Sequence, residues 1–316
     1  MRIFPLIVLC SAFASSLAWA QEEPGGTSDK TSERPPPDGV TVMHDVEIGT
    51  GGGRPLHAEI AFPTVTPKDP MPAVLWIHGG GWSKGTHKKN PGLWLAAKGY
   101  FVASIEYRLS DEAKWPAQLE DSKLAVRWLR ANAAKYHVDP NRIAAWGASA
   151  GGHLVTCLGT MDDPKYEGAG GYPGVSSKVQ VVIDFCGPVD FNQGSAGIQR
   201  PIAKAPDYES PGLLGLFGAS FKEKPDLWKE GSPINYVKKG DPPFLIVSGD
   251  KDLSVPHEQA VKLDEVLEKS GVVHELITVK GGGHGMHEAK GDPPASPNSK
   301  EIQAAVLAFL EKHMGK

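Results

Sequence analysis

Short, continuous apolar runs alternate along the chain with longer segments in which apolar residues recur at helical spacing. The runs predict strands at Ala73–Ile77, Tyr100–Ile105, Ile143–Trp146, Val179–Phe185, Phe244–Ser248 and Glu275–Val279. The helical spacing predicts helices near residues 93–98, 116–136, 153–158, 257–270 and 300–313. Apolar strands that alternate with amphipathic helices predict an α/β fold, in which a mostly parallel sheet carries helices on both faces.

Two regions depart from this alternation. Residues 40–48 and 56–62 alternate apolar and polar side chains, which predicts an antiparallel hairpin around Gly49–Gly53. Residues 187–241 are rich in glycine and proline, and they predict either a lid over a ligand site or an excursion over the surface.

Ligands of a parallel sheet bind beyond the carboxyl ends of its strands, so the residues that follow each strand are the candidates for catalytic or binding roles.

The N-terminus predicts a secretory signal peptide over residues 1–20. Arg2 precedes a short apolar run, and Ala18 and Ala20 provide the small residues of a cleavage site. The alternative is a membrane anchor, but the run is too short to span a bilayer. Residues 21–38 predict a flexible leader, and residues 39–316 a single folded domain. We therefore expect an exported protein, periplasmic or secreted, with no membrane attachment after cleavage.

Composition narrows the possible partners. The formal net charge is −4 at pH 7, which argues against nucleic acid as a partner. No H-E-x-x-H or C-x-x-C spacing occurs, so neither a metal nor an organic cofactor is expected. Cys157 and Cys186 lie in apolar runs, which favours buried free thiols, although an exported protein could pair them in a disulfide. The sequence leaves the oligomeric state open.

The segment from Ile143 to His153 carries the first chemical signal. It contains Gly147-Ala-Ser-Ala-Gly151, a G-x-S-x-G pattern between a predicted strand and a predicted helix. This is the context of a nucleophile elbow, in which a sharp turn presents the hydroxyl of Ser149 above the sheet. Glycine flanks the serine because a Cβ there would crowd the neighbouring strand and helix. The alternative is a glycine-rich turn with an inert serine.

A serine nucleophile needs a base, and His284 is the candidate. It lies in the glycine-rich turn Gly281–Gly285 after the last predicted strand, and His287 is its rival. The base in turn needs a carboxylate, for which Asp250 and Asp252 are both placed after a strand. The order serine, aspartate, histidine is that of the α/β-hydrolase fold. The residues themselves do not choose between the two aspartates.

The oxyanion that forms during acyl transfer needs N–H donors. Ala150, directly after the nucleophile, supplies one of them. The glycines of His78–Gly81 supply the others, because a loop without side chains can bring its amides close to a substrate. His78 is expected to brace this loop rather than to titrate, and Trp82 to line the substrate pocket.

Six sequence blocks occur in one order along the chain. They are His78-Gly-Gly-Gly-Trp82, Glu106-Tyr-Arg-Leu109, Trp115-Pro-Ala-Gln-Leu-Glu-Asp121, Trp146-Gly-Ala-Ser-Ala-Gly-Gly-His153, Gly249-Asp-Lys-Asp-Leu-Ser-Val-Pro256 and Gly281-Gly-Gly-His-Gly285. With these blocks, residues 40–315 resemble the α/β-hydrolase esterases. The resemblance is to the branch that includes hormone-sensitive-lipase-like enzymes and the bacterial feruloyl and acetyl xylan esterases.

The resemblance implies roles for particular residues. These are Ser149 as nucleophile, Asp252 as triad acid and His284 as base, with Gly80, Gly81 and Ala150 forming the oxyanion hole. Ala148 departs from the family pattern, in which many members carry Asp or Glu beside the nucleophile, so the acyl preference stays open. The block from Trp115 to Asp121 is interpreted as structural, and Asp121 is not assigned to catalysis.

Together these inferences predict an exported serine carboxylic-ester hydrolase that acts on short-chain acyl esters through an acyl-enzyme. The partner is a small-molecule or polysaccharide ester, and export with the resemblance favours acetyl or feruloyl esters of plant polysaccharide. One alternative is a serine peptidase of the prolyl-oligopeptidase type, which usually carries a large additional N-terminal domain. The other is a non-catalytic binding module on a hydrolase scaffold, against which the intact Ser149, Asp252 and His284 argue.

Overall fold

The computed structural model describes residues 35–195 and 210–315. The predicted signal peptide, residues 1–20, and residues 21–34 of the predicted leader lie outside these ranges and stay predictions. Within the described ranges, none of the helices combines the length and the apolar character that a membrane crossing requires.

Outside residues 187–241, strands and helices follow the predicted alternation. The strands are β1 (Val40–Gly51), β2 (Arg54–Pro63), β3 (Met71–Ile77), β4 (Phe101–Ile105), β5 (Val138–Ala148), β6 (Val181–Phe185), β7 (Asn192–Ser195), β8 (Phe244–Gly249) and β9 (His274–Val279). The helices are α1 (Leu93–Ala96), α2 (Ala117–Ala131), α3 (Ala150–Thr160), α4 (Pro211–Phe217), α5 (Pro225–Glu230), α6 (Glu258–Ser270) and α7 (Ser299–Met314). Short 3₁₀ helices occupy Pro164–Tyr166 and Pro233–Tyr236. β7, α4 and α5 lie inside residues 187–241, where the sequence predicts no regular element.

One eight-stranded sheet has the order β1-β2-β4-β3-β5-β6-β8-β9. The strands from β4 to β9 in this order run parallel to one another. β1 and β2 form the predicted antiparallel hairpin, and β2 adds to β4 in the antiparallel sense. The α/β fold predicted from the alternation is therefore confirmed, with the carboxyl ends of all the parallel strands at one edge.

Helices cover both faces of the sheet, and each face has its own core. Neighbouring residues of one strand point to opposite sides: Leu75 belongs to the core that includes apolar residues of α2, α3 and α6, whereas Val74 belongs to the core that includes those of α1 and α7. Because both faces are covered, the inner parallel strands are predominantly apolar. β3, β4, β6 and β8 are buried along their whole length.

Helix α2 ends earlier than the sequence predicts. The apolar spacing suggests a helix to Tyr136, but the last helical residue is Ala131. The side-chain amide of Asn132 donates a hydrogen bond to the carbonyl of Trp128, 2.8 Å away. Asparagine competes for backbone hydrogen bonds in this way, so it ends a helix that the apolar spacing alone would continue.

The block from Trp115 to Asp121 anchors α2, as expected for a structural segment. The Asp121 carboxylate accepts a 2.8 Å hydrogen bond from the guanidinium of Arg108 and another of 2.8 Å from the Arg108 backbone N–H. Its side chain is only 3% exposed, and that of Arg108 is 15% exposed. Asp121 therefore ties the loop after β4 to the first turns of α2.

Removing the Asp121 carboxylate is expected to destabilise the fold. In Asp121→Ala, Arg108 loses its buried carboxylate partner and keeps Glu120 and the Ala117 carbonyl, and breaking such a buried pair costs about 3 kcal/mol. Urea unfolding at neutral pH measures the change. Asp226→Ala is the control, because that side chain is 95% exposed and its removal costs less than about 1 kcal/mol. Equal stabilities of the two variants would contradict this account of Asp121.

Candidate active site

Ser149 occupies the sharp turn that the sequence predicts. It stands alone between the last residue of β5, Ala148, and the first of α3, Ala150, with φ 57° and ψ −121°. This strained conformation is held by a 2.8 Å hydrogen bond from the Ser149 N–H to the Phe185 carbonyl on neighbouring β6.

The two flanking glycines are required for close packing, also as predicted. A Cβ placed on Gly151 would lie 2.0 Å from the Ile77 carbonyl oxygen, and one on Gly147 would lie 2.4 Å from the Gly151 oxygen. No real Cβ tolerates such distances. Because these glycines have no side chains, α3 can begin directly against the end of β3. This position directs the N-terminus of α3 toward the space above Ser149.

His284 connects Ser149 to a buried aspartate. Its Nε2 lies 2.9 Å from the Ser149 hydroxyl, and its Nδ1 lies 2.7 Å from Oδ2 of Asp252. Because a carboxylate only accepts hydrogen bonds, Nδ1 carries the proton and Nε2 is free to accept the hydroxyl proton. The structure thus brings together the three side chains that the sequence singles out.

The structure also separates the roles of the two candidate aspartates. Oδ1 of Asp252 accepts hydrogen bonds from the N–H groups of Ser254 and Val255, at 2.8 and 2.9 Å, which leaves Oδ2 for His284. Asp250 instead accepts a 2.7 Å bond from the N–H of Gly281. It therefore shapes the loop that carries His284 and does not contact the imidazole.

The rival histidine takes a different position. His287 contributes its backbone carbonyl, which accepts a 2.8 Å hydrogen bond from the Gly283 N–H, while its buried Nε2 has no hydrogen-bond partner among the described residues. His284 is the histidine that reaches Ser149.

The charge state of His284 depends on competing effects. Burial lowers the pKa of His284, whereas the nearby Cys186 sulfur and the hydrogen bond to Asp252 raise it. The Asp252 side chain is fully buried, whereas that of His284 is 28% exposed. A buried carboxylate with such a partner stabilises the imidazolium form that proton transfer from Ser149 creates.

The glycine loop after β3 lies beside the serine. A Cβ on Gly79 would lie 3.2 Å from the Cβ of Ser149. The backbone hydrogen bonds of this turn run from the N–H groups of Ser83 and Lys84 to the Gly80 carbonyl. Within residues 35–195 and 210–315, no backbone carbonyl accepts a hydrogen bond from the N–H of Gly80 or Gly81. Ala150 is the first residue of α3, where a backbone N–H has no intrahelical acceptor. The backbone N–H groups of Gly80, Gly81 and Ala150 therefore remain available as hydrogen-bond donors near Ser149.

His78 braces this loop, as the sequence predicts. Its Nδ1 donates to the Gly79 carbonyl at 2.7 Å, and its ring stacks on Tyr107 with 4.3 Å between centroids. The Tyr107 hydroxyl completes the support with a 3.1 Å bond to the His78 carbonyl. With Nδ1 occupied by its own loop, His78 acts as a support for the backbone.

His153, a buried histidine to which the sequence analysis assigns no role, supports the glycine loop through Trp82. The Trp82 indole donates to Nδ1 of His153 at 3.2 Å, and Nε2 of His153 donates to the Gly231 carbonyl at 2.8 Å. Burial lowers the pKa of His153 to about 4, so it stays neutral and keeps both hydrogen bonds. His153 thus connects the glycine loop, α3 and the 187–241 insert. The sequence signal for it is its place at the end of the block from Trp146 to His153, four residues after Ser149.

Trp82, which the sequence predicts to line the substrate pocket, is almost completely buried. Its side chain belongs to the core cluster and is 4% exposed, with its ring edge-on to His153 and Phe191. Its predicted contact with substrate therefore stays a prediction.

The described part of the insert approaches the glycine loop. A Cβ on Gly212, near the start of α4, would lie 3.3 Å from the Gly81 carbonyl oxygen. Leu213, Leu216 and Phe217 of the same helix are buried in the core. Residues 196–209 lie outside the described part of the chain, so the lid function of the insert stays a prediction.

Both cysteines of the described ranges are buried free thiols, which the sequence favours over a disulfide. Cys157 lies inside α3. Cys186 directly follows β6, with φ 47°, and its thiol donates a 3.3 Å hydrogen bond to the His284 carbonyl. Cys186, Asp252 and His284 are also side chains whose ligand atoms lie close enough together to bind a metal ion.

Known proteins resemble this chain. Residues 59–267 match the BD-FAE family. Esterase LipC of Mycobacterium tuberculosis is 32% identical over 226 residues, 69% of this chain and 54% of LipC. Esterase LipQ of the same organism is 28% identical over 272 residues, 84% of this chain and 61% of LipQ. A solved structure described as a truncated form of a carbohydrate esterase from gut microbiota has a TM-score of 0.75 at 33% identity, covering 89% of this chain and 99% of that chain.

The chain belongs to the BD-FAE family, and the two mycobacterial relatives and the solved structure named above are esterases. The resemblance drawn from the six sequence blocks is therefore confirmed. The chain spans little more than half of the length of the two mycobacterial esterases.

The depressed pKa of His153 predicts a pH dependence of stability. Its pKa is about 4 in the folded protein, against an ordinary value of 6.5, so the unfolded chain binds more protons between these values. The contribution of His153 to stability is complete above pH 6.5 and falls as the pH drops toward 4, by about 3 kcal/mol.

His153→Gln, which does not titrate, provides the comparison. Urea unfolding of both proteins from neutral pH to pH 4 should show the wild type losing about 3 kcal/mol relative to the variant. Parallel stability curves for the two proteins would show that His153 is not held neutral by burial.

Proposed function

We propose that this protein is an exported serine carboxylic-ester hydrolase, with Ser149 as nucleophile, His284 as base and Asp252 as the acid that orients it. The hydrogen-bonded line from Ser149 through His284 to Asp252 carries this proposal. The membership of an esterase family supports the reaction class.

In the acylation step, His284 acts as the base, because its Nδ1 carries a proton and its Nε2 can accept one. Nε2 of His284 accepts the proton of the Ser149 hydroxyl while the oxygen attacks the ester carbonyl, and Asp252 stabilises the imidazolium that results. The carbonyl oxygen becomes an oxyanion. The N–H groups of Gly80, Gly81 and Ala150 stabilise that charge, and such donors act strongly because they are in place before the charge forms.

Protonation of the leaving alcohol completes acylation, and attack by water then begins deacylation. The imidazolium of His284 protonates the leaving alcohol, which departs and leaves the acyl group on Ser149. Neutral His284 then takes a proton from a water molecule, whose oxygen attacks the acyl carbonyl. Collapse of the second oxyanion returns the proton to Ser149 and releases the acid.

The substrates are short-chain acyl esters, with acetyl or feruloyl esters of plant polysaccharide as the natural class. The resemblance to xylan-directed esterases supports this choice, as does the structural similarity to a protein described as a carbohydrate esterase. The predicted signal peptide supports export to a compartment where polysaccharide is found.

Replacing Ser149 by alanine tests the reaction. Wild type should cleave p-nitrophenyl acetate, and Ser149→Ala should lose on the order of 10⁴-fold or more in kcat, because no other group forms the acyl-enzyme. Rates on p-nitrophenyl octanoate, methyl ferulate and acetylated xylan then define the acyl and polymer preference.

Two controls accompany this measurement. Circular dichroism of both proteins shows that the substitution leaves the fold intact. An organophosphate such as paraoxon should phosphorylate wild type at Ser149 and leave the variant unlabelled. Equal activity of the two proteins, or an inert wild type without labelling, would overturn the esterase proposal in favour of a binding role.

The two aspartates provide a matched pair of charge-removing substitutions. Asp252→Asn replaces the carboxylate that fixes the His284 tautomer, so kcat should fall by roughly 10³–10⁴-fold. Asp250→Asn keeps an oxygen that can accept from the Gly281 N–H, and it should retain activity within about tenfold of wild type. Initial rates on p-nitrophenyl acetate measure both, and a larger loss from Asp250→Asn would reverse the assignment.

A further inference from the structure

Three adjacent parallel strands end in loops that meet around His284. β6, β8 and β9 are neighbours in the sheet, and they are followed by Cys186, Asp252 and His284 respectively. The proposed reaction uses the aspartate and the histidine. It gives no role to the thiol, although a free buried thiol lies at the same edge of the sheet.

The ligand atoms of these side chains form a compact group. One atom each from Cys186, Asp252 and His284 lies within 4.8 Å of the others. Zinc binds nitrogen, oxygen and sulfur at about 2.0–2.3 Å, which places two ligands of a tetrahedral ion roughly 3.3–3.7 Å apart. Small inward movements, together with a slight opening of the 2.7 Å contact between Asp252 and His284, would accommodate such an ion.

The type of donor selects the type of ion. A thiolate is a soft ligand, and an imidazole suits borderline ions, so a set of sulfur, nitrogen and oxygen favours Zn²⁺ and Cd²⁺ over Mg²⁺ or Ca²⁺. The backbone of Ser254 and Val255 holds Oδ1 of Asp252, which keeps Oδ2 directed at the imidazole. The His284 side chain is 28% exposed and provides the approach from solvent.

We propose that Cys186, Asp252 and His284 form an inhibitory site for a thiophilic divalent cation of the Zn²⁺ and Cd²⁺ class. Binding of the ion depends on these side chains alone. The loss of activity that accompanies it rests on the proposed function of Ser149 and His284.

The protons account for the inhibition. Nδ1 of His284 lies beside Oδ2 of Asp252, so an ion shared with Asp252 takes the lone pair of Nδ1 and displaces its proton. That proton moves through solvent to Nε2, and the Cys186 thiol releases its own proton to solvent as the thiolate binds. The site gains the two positive charges of the ion and loses one proton. Nε2 then carries a proton and cannot accept the one from Ser149.

Titration of the purified full-length protein with Cd²⁺ tests the site without relying on catalysis. Wild type should develop a thiolate-to-cadmium charge-transfer absorption that saturates near one equivalent, and EDTA should remove it. Hydrolysis of p-nitrophenyl acetate should fall in parallel and recover with EDTA. Ser149→Ala should give the same absorption, because the serine is not a ligand.

Cysteine variants locate the ligand. Cys186→Ser keeps a hydroxyl that can donate to the His284 carbonyl but loses the soft ligand, so the absorption should disappear and half-inhibition should need at least about tenfold more Cd²⁺. Cys186→Ala should behave in the same way and provides a second variant if the first folds poorly. Cys157→Ser is the matched control, since it removes the other buried thiol and should leave both signals unchanged.

The outcomes separate this site from the proposed reaction. An absorption that persists in both Cys186 variants, or that disappears in Cys157→Ser, would overturn the site. So would a wild type that gives no charge-transfer absorption. An absorption that depends on Cys186 in a protein inactive on every ester would support the metal site and contradict the proposed esterase function.

Discussion

The site depends on the close packing of the backbone at the start of α3 against the backbone at the end of β3. At Gly151 the helix backbone passes so near the Ile77 carbonyl that only a hydrogen atom fits in place of a side chain. This contact forces the chain to reverse within the single residue Ser149, whose φ of 57° is costly for a residue with a side chain. The hydrogen bond from the Ser149 N–H to β6 fixes the turn. The other functional groups are arranged around a serine whose position the sheet determines.

The strand order then explains why distant parts of the sequence meet. β5 is central and carries Ser149, while β8 and β9 deliver Asp252 and His284 from one side and β3 delivers the glycine loop from the other. Because these strands are parallel, their carboxyl ends lie at one edge. Asp252 is buried there with both oxygens in hydrogen bonds, so it fixes the orientation of the imidazole. The same convergence brings Cys186 within reach of both.

A second set of interactions holds the glycine loop, which has few side chains of its own. Tyr107 and His78 support it on one side, and the hydrogen bonds from Trp82 through His153 to Gly231 support it on the other. His153 stays neutral because it is fully buried, which keeps one nitrogen as acceptor and the other as donor. This connection also links the loop to the insert whose α4 lies beside Gly81. Oxyanion donors on a loop are useful only when such contacts keep them in place.

The sequence by itself determined the order of strands and helices outside residues 187–241, the antiparallel hairpin, the elbow at Ser149 and the need for glycine at its flanks. These features follow from local rules: apolar runs, helical spacing and the room that a Cβ occupies. Residue types and spacing left Asp250 and Asp252 both open, because they stand two residues apart after one strand, and only the family resemblance favoured Asp252. The tertiary structure shows that Asp252 contacts His284, while Asp250 holds Gly281. Only the tertiary structure decided the buried position of Trp82 and the roles of His153 and Cys186. Each of these depends on which side chains face one another across the sheet edge, and that is set by packing between segments far apart in the chain.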